Sequence, residues 1–274
     1  MTFSELCARL RKAGIEDDRR EAALLLESFC ARPLSSTDDE DYKSADLERA
    51  VASRCQHAPL QYLLGKWPFF RQTYFVSPDC LIPRPDTEVL VEEAIRVLPQ
   101  DAYFADLCTG SGCIGISVLC ERPDTSCYAV DKFFKTVCMA IQNAAAQGVG
   151  DRFHAHQIDL FEDADLRFSL IAPFDAILSN PPYIPSAVIP TLSPEVQAEP
   201  VAALDGGEDG LAFYRKILSF SRFLKPGGRM ILEIGYDQAE AVTELAKHAG
   251  FTEIRVLKDL GGNDRVVSMI YPGA

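Results

Sequence analysis

The order of apolar and polar positions divides this chain near residue 70. Before that point the apolar residues recur at helical intervals. Thr2 and Glu5 have the spacing of a capping box, and Phe3, Leu6 and Leu10 follow on one face. A second helix is predicted from Asp17 or Asp18 through Ala22, Leu25, Leu26 and Phe29 to Cys30, stopped by Pro33. The acidic run Thr37 to Asp41 reads as a loop or helix entry. A third helix is predicted from about Ser44 to Arg54, and a short fourth one after Pro59. These segments make a small helical bundle with no cluster of catalytic residue types.

Beyond Phe69 the pattern turns β-like. Tyr74-Phe75-Val76 and Cys80-Leu81-Ile82 are short apolar pieces around Ser77-Pro78-Asp79, which predicts a hairpin. A helix over 88–98 follows. From residue 102 onward strands alternate with helices, the signature of an α/β sheet. Strands are predicted near 102–107, 126–131, 153–159, 174–179, 229–234, 251–257 and 265–271. Helices are predicted near 112–121, 132–147, 208–224 and 236–249, with Lys225-Pro226-Gly227-Gly228 as a turn. The last two strands are separated only by Lys258 to Asp264, too short for a helical crossover, so they should pair antiparallel. The domains expected are 1–70 (helical), 71–100 (connector) and 101–274 (α/β).

The ends of the predicted strands carry the chemistry. Asp106-Leu107-Cys108-Thr109-Gly110-Ser111-Gly112 leaves the first strand of the sheet and opens a helix; its glycines let the backbone pass close to a ligand. Gly110, Gly112 and Gly115 also fit GxGxxG, which keeps a dinucleotide-binding oxidoreductase in view. Asp131 ends the second strand, where a carboxylate can accept from both hydroxyls of a ribose; it can also cap the next helix. Asp159-Leu160-Phe161 ends the third. Asn180-Pro181-Pro182-Tyr183 ends the fourth. Two prolines force the chain out of the ladder as a stiff loop, at a side chain that both donates and accepts. Such a loop suits the grip of a planar NH2 group. Four sites at carboxyl ends of parallel strands converge where open α/β sheets bind ligands.

Composition and charge narrow the function. The net charge is −13, of which −11 falls after residue 70. A catalytic region this acidic repels a phosphate backbone, which argues against nucleic acid as substrate. Nine cysteines with no CxxC, and four histidines with no ligand-like spacing to them, point away from zinc and toward a reduced cytoplasmic protein. No apolar run is long enough for a bilayer, and the N-terminus lacks a signal-peptide pattern.

In these motifs the chain resembles the class I S-adenosylmethionine-dependent methyltransferases. More narrowly it resembles the HemK/PrmC type, which methylates the glutamine of the Gly-Gly-Gln motif in class-1 peptide chain release factors. The resemblance spans nearly the whole chain: Gln61 to Gly65, Leu81 to Glu88, Asp106 to Ile114, Ser179 to Ile184, Glu199-Pro200, Leu204 to Leu211, Leu224 to Gly228, Leu232 to Gly235, and Asp264 to Val267. It implies a seven-stranded Rossmann-like sheet with an antiparallel final hairpin. It also implies S-adenosyl-L-methionine as cofactor, release factors as protein partners, no metal, and a monomer. Cofactor contacts are implied for Cys108, Thr109, Gly110, Ser111, Gly112, Asp131, Leu160 and Asn180. Asn180, Pro181, Pro182 and Tyr183 would frame the substrate amide, with Arg84 and Thr87 lining the same pocket. The chain departs from the family pattern at Cys108 (usually Gly), Leu160 (Trp in some members) and Asp86 (more often Glu). The rival enzyme is an adenine-N6 methyltransferase, which also grips an exocyclic NH2 with an Asn/Asp-Pro-Pro-aromatic loop; the other alternative is a non-catalytic binding protein centred on the helical bundle.

Overall fold

A computed structural model describes residues 1–31 and 41–273. Pro33 and the part of the acidic run from Thr37 to Glu40 lie outside the described residues. Two compact units emerge. The first is Met1–Lys66 joined by Leu192–Ala198; the second is Trp67–Thr191 with Glu199–Ala274.

The first unit holds α1 (Phe3–Lys12), α2 (Asp18–Cys30), α3 (Ala45–Arg54), α4 (Leu60–Leu64) and, in its downstream segment, the single turn α9 (Pro194–Gln197). The Thr2 hydroxyl accepts from Glu5 N at 3.2 Å, and the Glu5 carboxylate accepts from Thr2 N at 2.8 Å, closing the capping box. Leu6, Leu10, Leu25, Leu47 and Val51 are fully buried between the helices. Arg54 is buried as well, and it is satisfied by charge. Its Nε and Nη2 donate to both oxygens of Glu21 at 2.6 and 3.0 Å, and Nη1 donates to Glu195 Oε1 at 3.0 Å. His57 Nδ1 lies 3.3 Å from the same Glu195 oxygen. These contacts explain why a segment more than a hundred residues downstream belongs to this unit.

The second unit is built on a seven-stranded sheet. Its strands are β3 (Tyr103–Leu107), β4 (Ser126–Asp131), β5 (Phe153–Gln157), β6 (Phe174–Ser179), β7 (Leu224–Glu233), β8 (Thr252–Lys258) and β9 (Asp264–Ile270), in the order β5-β4-β3-β6-β7-β9-β8. All neighbours run parallel except β9, which is antiparallel to both β7 and β8. The final hairpin expected from the short link is therefore present, with β9 inserted beside β7. The period-2 alternation of the strands splits the core between two faces. Ala105 and Leu107 point to a cluster with Phe168, Tyr214, Ile217 and Val242, whereas Phe104 points to one with Tyr74, Leu90, Ile116 and Ala140. Helices α8 (Ala164–Ser169), α10 (Ala212–Leu218) and α11 (Ala239–His248) cover the first face. Helices α5 (Glu88–Val97), α6 (Cys113–Glu121) and α7 (Phe134–Ala146) cover the second. The chain reverses its direction across the sheet between β3 and β6, which opens a crevice at their carboxyl ends.

Several expectations need correction. The two-stranded hairpin is β1 (Lys66–Phe69) with β2 (Gln72–Phe75), and Cys80-Leu81-Ile82 is not a strand. Ile82 N donates to the Glu199 carboxylate at 3.0 Å, so its ladder group is taken by a side chain. Lys225 to Gly228 does not end before the strand but lies inside β7 as an irregularity: pairing with β6 jumps from Leu224 to Arg229. Gly227 N donates to Tyr271 O and Tyr271 N to Gly228 O, both at 2.8 Å, which stitches the bulge to the chain after β9. The helix expected over 208–224 begins only at Ala212 and tightens into a 3-10 turn over Ser219–Phe223. Helix α8 had no counterpart in the sequence pattern.

Candidate functional site

The crevice holds a cavity of about 310 Å³. Loops at the carboxyl edge of the sheet supply part of its wall, and Asp79, Cys80, Leu81, Thr136 of α7 and Phe213 of α10 add to it. The loop after β3 turns sharply, with Cys108, Gly110 and Gly112 at φ values of 57°, 56° and 82°. Gly110 and Gly112 adopt such angles freely, while Cys108 does so against the steric preference of a side chain. A Cβ built on Gly110 meets no protein atom within 4 Å, so the backbone presents open space to a ligand. At Gly112 and Gly115 the reverse holds. A Cβ would come within 2.6 Å of Ile116 Cδ1 at the first, and 2.9 Å of Cys127 Sγ at the second.

A small network fixes this loop. Asp106 is fully buried at the end of β3; its Oδ2 accepts from the Thr109 hydroxyl at 2.6 Å and from Gly115 N at 3.1 Å, while Oδ1 has no partner. Burial lifts this carboxyl to about 7 against the pull of those two donors. Asp131, at the end of β4, accepts from Gly110 N and from Phe133 N, each at 3.1 Å. Burial raises its carboxyl too, and the backbone donors oppose the rise. Nothing in the sequence singles out Asn143, yet this fully buried amide on α7 donates to Ser111 O at 2.8 Å and to Phe75 O at 3.0 Å, and accepts from Phe75 N at 2.7 Å. It ties the loop to the hairpin.

The Asn-Pro-Pro-Tyr loop leaves β6 beside Ser179, whose hydroxyl donates to Leu107 O at 2.7 Å. Asn180 Nδ2 donates to the Thr87 hydroxyl at 3.3 Å. Tyr183 O accepts from Gln238 Nε2 at 3.0 Å, and the Tyr183 hydroxyl donates to Glu233 Oε1 at 3.5 Å. Beyond it, Ile184 N donates to Leu204 O and Gly206 N to Ile184 O, both at 2.9 Å. A Cβ on Gly206 would stand 2.7 Å from Tyr183 Cα, so only glycine lets the two backbones meet. This contact accounts for part of the glycine-rich stretch after Leu204.

Of the residues expected to form the site, Cys108, Gly110, Asp131, Leu160, Asn180 and Pro182 bound the cavity together. Thr109, Ser111, Gly112, Pro181 and Tyr183 are not among its lining side chains. Thr109 and Ser111 are buried within the loop, Gly112 caps α6, Pro181 is buried, and Tyr183 points its hydroxyl toward Glu233. Thr87 lies behind Asn180, and Arg84 is ion-paired with the buried Glu199. The exposed rings of Phe133 and Phe161 also border the cavity; both directly follow or nearly follow the acidic residues at strand ends. Among the described residues no group of three or more His, Cys, Asp or Glu is placed to hold a metal ion, and no helix is long and apolar enough to cross a membrane.

The donors present fit an adenosyl cofactor. Asp131 keeps lone pairs for a diol after its two backbone bonds. Ile158 and Leu160 offer an apolar flank for a flat ring, and the Gly110 backbone leaves room for a polar tail. Sheet order and strand-end site together define an S-adenosylmethionine-dependent methyltransferase fold. A methyltransferase from Pyrococcus furiosus shares that fold, with a TM-score of 0.54 at 15% identity over 73% of this chain and 89% of that one.

Sequence comparison goes further. Residues 3–65 match the PrmC N-terminal domain and residues 85–196 the Methyltransferase small domain. The release factor glutamine methyltransferase of Geobacter sulfurreducens is 42% identical, over 94% of this chain and 91% of its own length. That of Caulobacter vibrioides is 38% identical over the same shares. The crystal structure of the release factor-specific protein-(glutamine-N5) methyltransferase from Alicyclobacillus acidocaldarius is 38% identical, covering 72% of this chain and 98% of that one, with a TM-score of 0.43. The chain belongs to the release factor glutamine methyltransferase family.

Proposed function

We propose that this protein moves a methyl group from S-adenosylmethionine to the side-chain amide nitrogen, N5, of the glutamine in the Gly-Gly-Gln motif of class-1 release factors. One observation carries the reading at the site. The Asn180 amide spends its nitrogen on Thr87, which leaves its oxygen as an acceptor on the cavity wall.

An amide nitrogen is a poor nucleophile because its lone pair is conjugated with the carbonyl; the rotation barrier of about 18–20 kcal/mol measures that conjugation. Asn180 Oδ1 and the Pro181 carbonyl accept the two amide hydrogens, which raises electron density on nitrogen and fixes its direction. Proline has no N–H to compete with that carbonyl. Pro182 and Tyr183 flank the glutamine side chain. Asp131 would hold the ribose, Leu160 the adenine and the loop Cys108 to Gly112 the methionine part of S-adenosylmethionine, which would supply an electrophilic methyl group from its sulfonium and leave as the neutral thioether when that C–S bond breaks. Orientation supplies much of the acceleration. The methylated nitrogen sheds its proton to water, so no side-chain base is required.

The helical region 1–70 serves as the docking domain for the release factor, 71–100 as connector, and 101–274 as catalytic domain. The enzyme acts as a cytoplasmic monomer on protein. The strongly acidic catalytic region supports a protein substrate over nucleic acid.

The test is transfer of labelled methyl to a purified release factor, to the same factor with its motif glutamine changed to Ala, and to duplex DNA and RNA. Label on the intact factor alone is the expected result. Label on nucleic acid would move the activity to an exocyclic amine of a base.

A further inference from the structure

Part of the cavity wall comes from two stretches that belong to no strand of the sheet. Cys80 and Leu81 come from the connector; Pro200, Ala202 and Ala203 come from the chain leading to Leu204. Prolines limit the backbone pairing open to both. Pro83 and Pro85 have no N–H, and Arg84 between them is extended, at φ −103° and ψ 141°. Pro200 has no N–H either, with φ −59° and ψ 121°. Stretches so short of ladder donors need a side chain to fasten them.

Glu199 is that side chain. It is 4% exposed, and its two oxygens have different donors. Oε2 accepts from Ile82 N at 3.0 Å, and Oε1 accepts from Arg84 Nη2. Both donors lie in the connector, directly after Leu81, and the carboxylate itself directly precedes Pro200. One carboxylate thereby clasps two wall stretches that are 115 to 117 residues apart. The second stretch is anchored in its turn to the Asn-Pro-Pro-Tyr loop, because Leu204 O accepts from Ile184 N at 2.9 Å.

The pair is unequally exposed. The Glu199 side chain shows 2% of its surface to solvent and that of Arg84 35%. A carboxylate this buried is costly without its counter-charge, so Arg84 holds Glu199 where Ile82 can reach it. Neither Glu199 nor Arg84 lines the cavity. Their action passes through Leu81 on one side and Pro200 on the other. Resting on S-adenosylmethionine as the occupant of this cavity, we infer that Glu199 is a positioning residue for the cofactor. Paired with Arg84, it keeps the connector and the Pro200–Ala203 stretch closed as one wall, and so slows cofactor escape.

The experiment measures S-adenosylmethionine affinity by titration calorimetry and its dissociation rate by stopped flow. The proteins are wild type, Glu199→Gln, Arg84→Met, Arg84→Lys and the double variant Glu199→Gln/Arg84→Met, with thermal melting and release-factor KM recorded for each. Glu199→Gln and Arg84→Met should each raise the cofactor Kd about 10-fold through faster dissociation, the order of losing one hydrogen bond to a charged group. Arg84→Lys keeps the charge and should keep most of the affinity. The double variant strands no buried charge, so it should bind no more weakly than the worse single variant.

Unchanged Kd in both folded single variants overturns this assignment, and lowered melting beside that Kd makes the pair a packing device. Losses that multiply to about 100-fold in the double variant also overturn it, since the two residues would then act independently. A raised release-factor KM with unaltered cofactor Kd in Arg84→Met would make Arg84 a substrate contact and overturn it as well. A wild type that binds S-adenosylmethionine yet leaves the glutamine untouched defeats the glutamine reading and leaves the clasp standing. A wild type that binds no S-adenosylmethionine removes the clasp too.

Discussion

The backbone N–H of Gly110 donates to Asp131 Oδ2 across 3.1 Å, joining the loop after β3 to the end of β4. The proposed methionine and ribose ends of the cofactor pocket are thus one mechanical unit. Replacing Asp131 by Ala removes the acceptor for the ribose and releases Gly110 together. Hydrogen bonds to a charged group contribute about 1.5–3 kcal/mol each, so cofactor affinity should fall about 10- to 100-fold or more. Titration calorimetry with S-adenosylmethionine reads the loss; unchanged affinity would exclude Asp131 from the pocket.

Asn180→Ala separates chemistry from binding. Losing one preorganised polar group at a reacting centre costs about 100- to 1,000-fold in kcat. Cofactor affinity should weaken far less, because Asp131 and the glycine loop are untouched. Ordinary turnover by this variant would defeat the proposed mechanism.

Gly206→Ala tests the loop from behind. The new methyl would lie 2.7 Å from Tyr183 Cα, 2.8 Å from its carbonyl carbon and 2.9 Å from Gly210 Cα. All three are backbone atoms and cannot rotate aside. Overpacking of this kind costs about 1–3 kcal/mol. A lower melting temperature and a reduced kcat should appear together. Unaltered melting would mean that the loop gives way without cost.

Asp106 makes stability depend on pH in an unusual direction for an aspartate. Its carboxyl stands at about 7 in the folded chain against 3.8 ordinarily. Below the lower value both folded and unfolded chains hold the proton. Between the two values only the folded chain keeps it, so this group's contribution falls as pH rises across the window and levels off above it. Asp106→Asn should flatten part of the slope in urea-unfolding free energy between pH 4 and about 7; an unchanged slope would show that Asp106 stays ionised.

The sheet was legible because its strands are bounded by turn residues and alternate with amphipathic helices. The first hairpin was misplaced because Pro68 weakens the run Lys66-Trp67-Pro68-Phe69, while Cys80-Leu81-Ile82 looks more β-like. What keeps the latter irregular is Glu199, a carboxylate over a hundred residues away that takes the Ile82 N–H. The site shows the same division. Strand-end motifs pointed to Asp131 and Asn180, since glycines and prolines mark backbone demands locally. Asn143, Gln238 and Glu233 carry no such mark. A buried amide or acid reads like a surface one until its distant partners are known.

The assignment of Leu192–Ala198 to the helical unit, through Arg54 and Glu195, has an evolutionary consequence. A domain that is one uninterrupted stretch can be cut from one gene and spliced into another. Here the N-terminal unit borrows seven residues from within the methyltransferase region. A copy of residues 1–66 moved elsewhere would leave Arg54 without Glu195, and a shortened chain would strand Glu195 without Arg54. The two parts are therefore bound to be inherited together, and changes on either side of that ion pair should be selected as a pair.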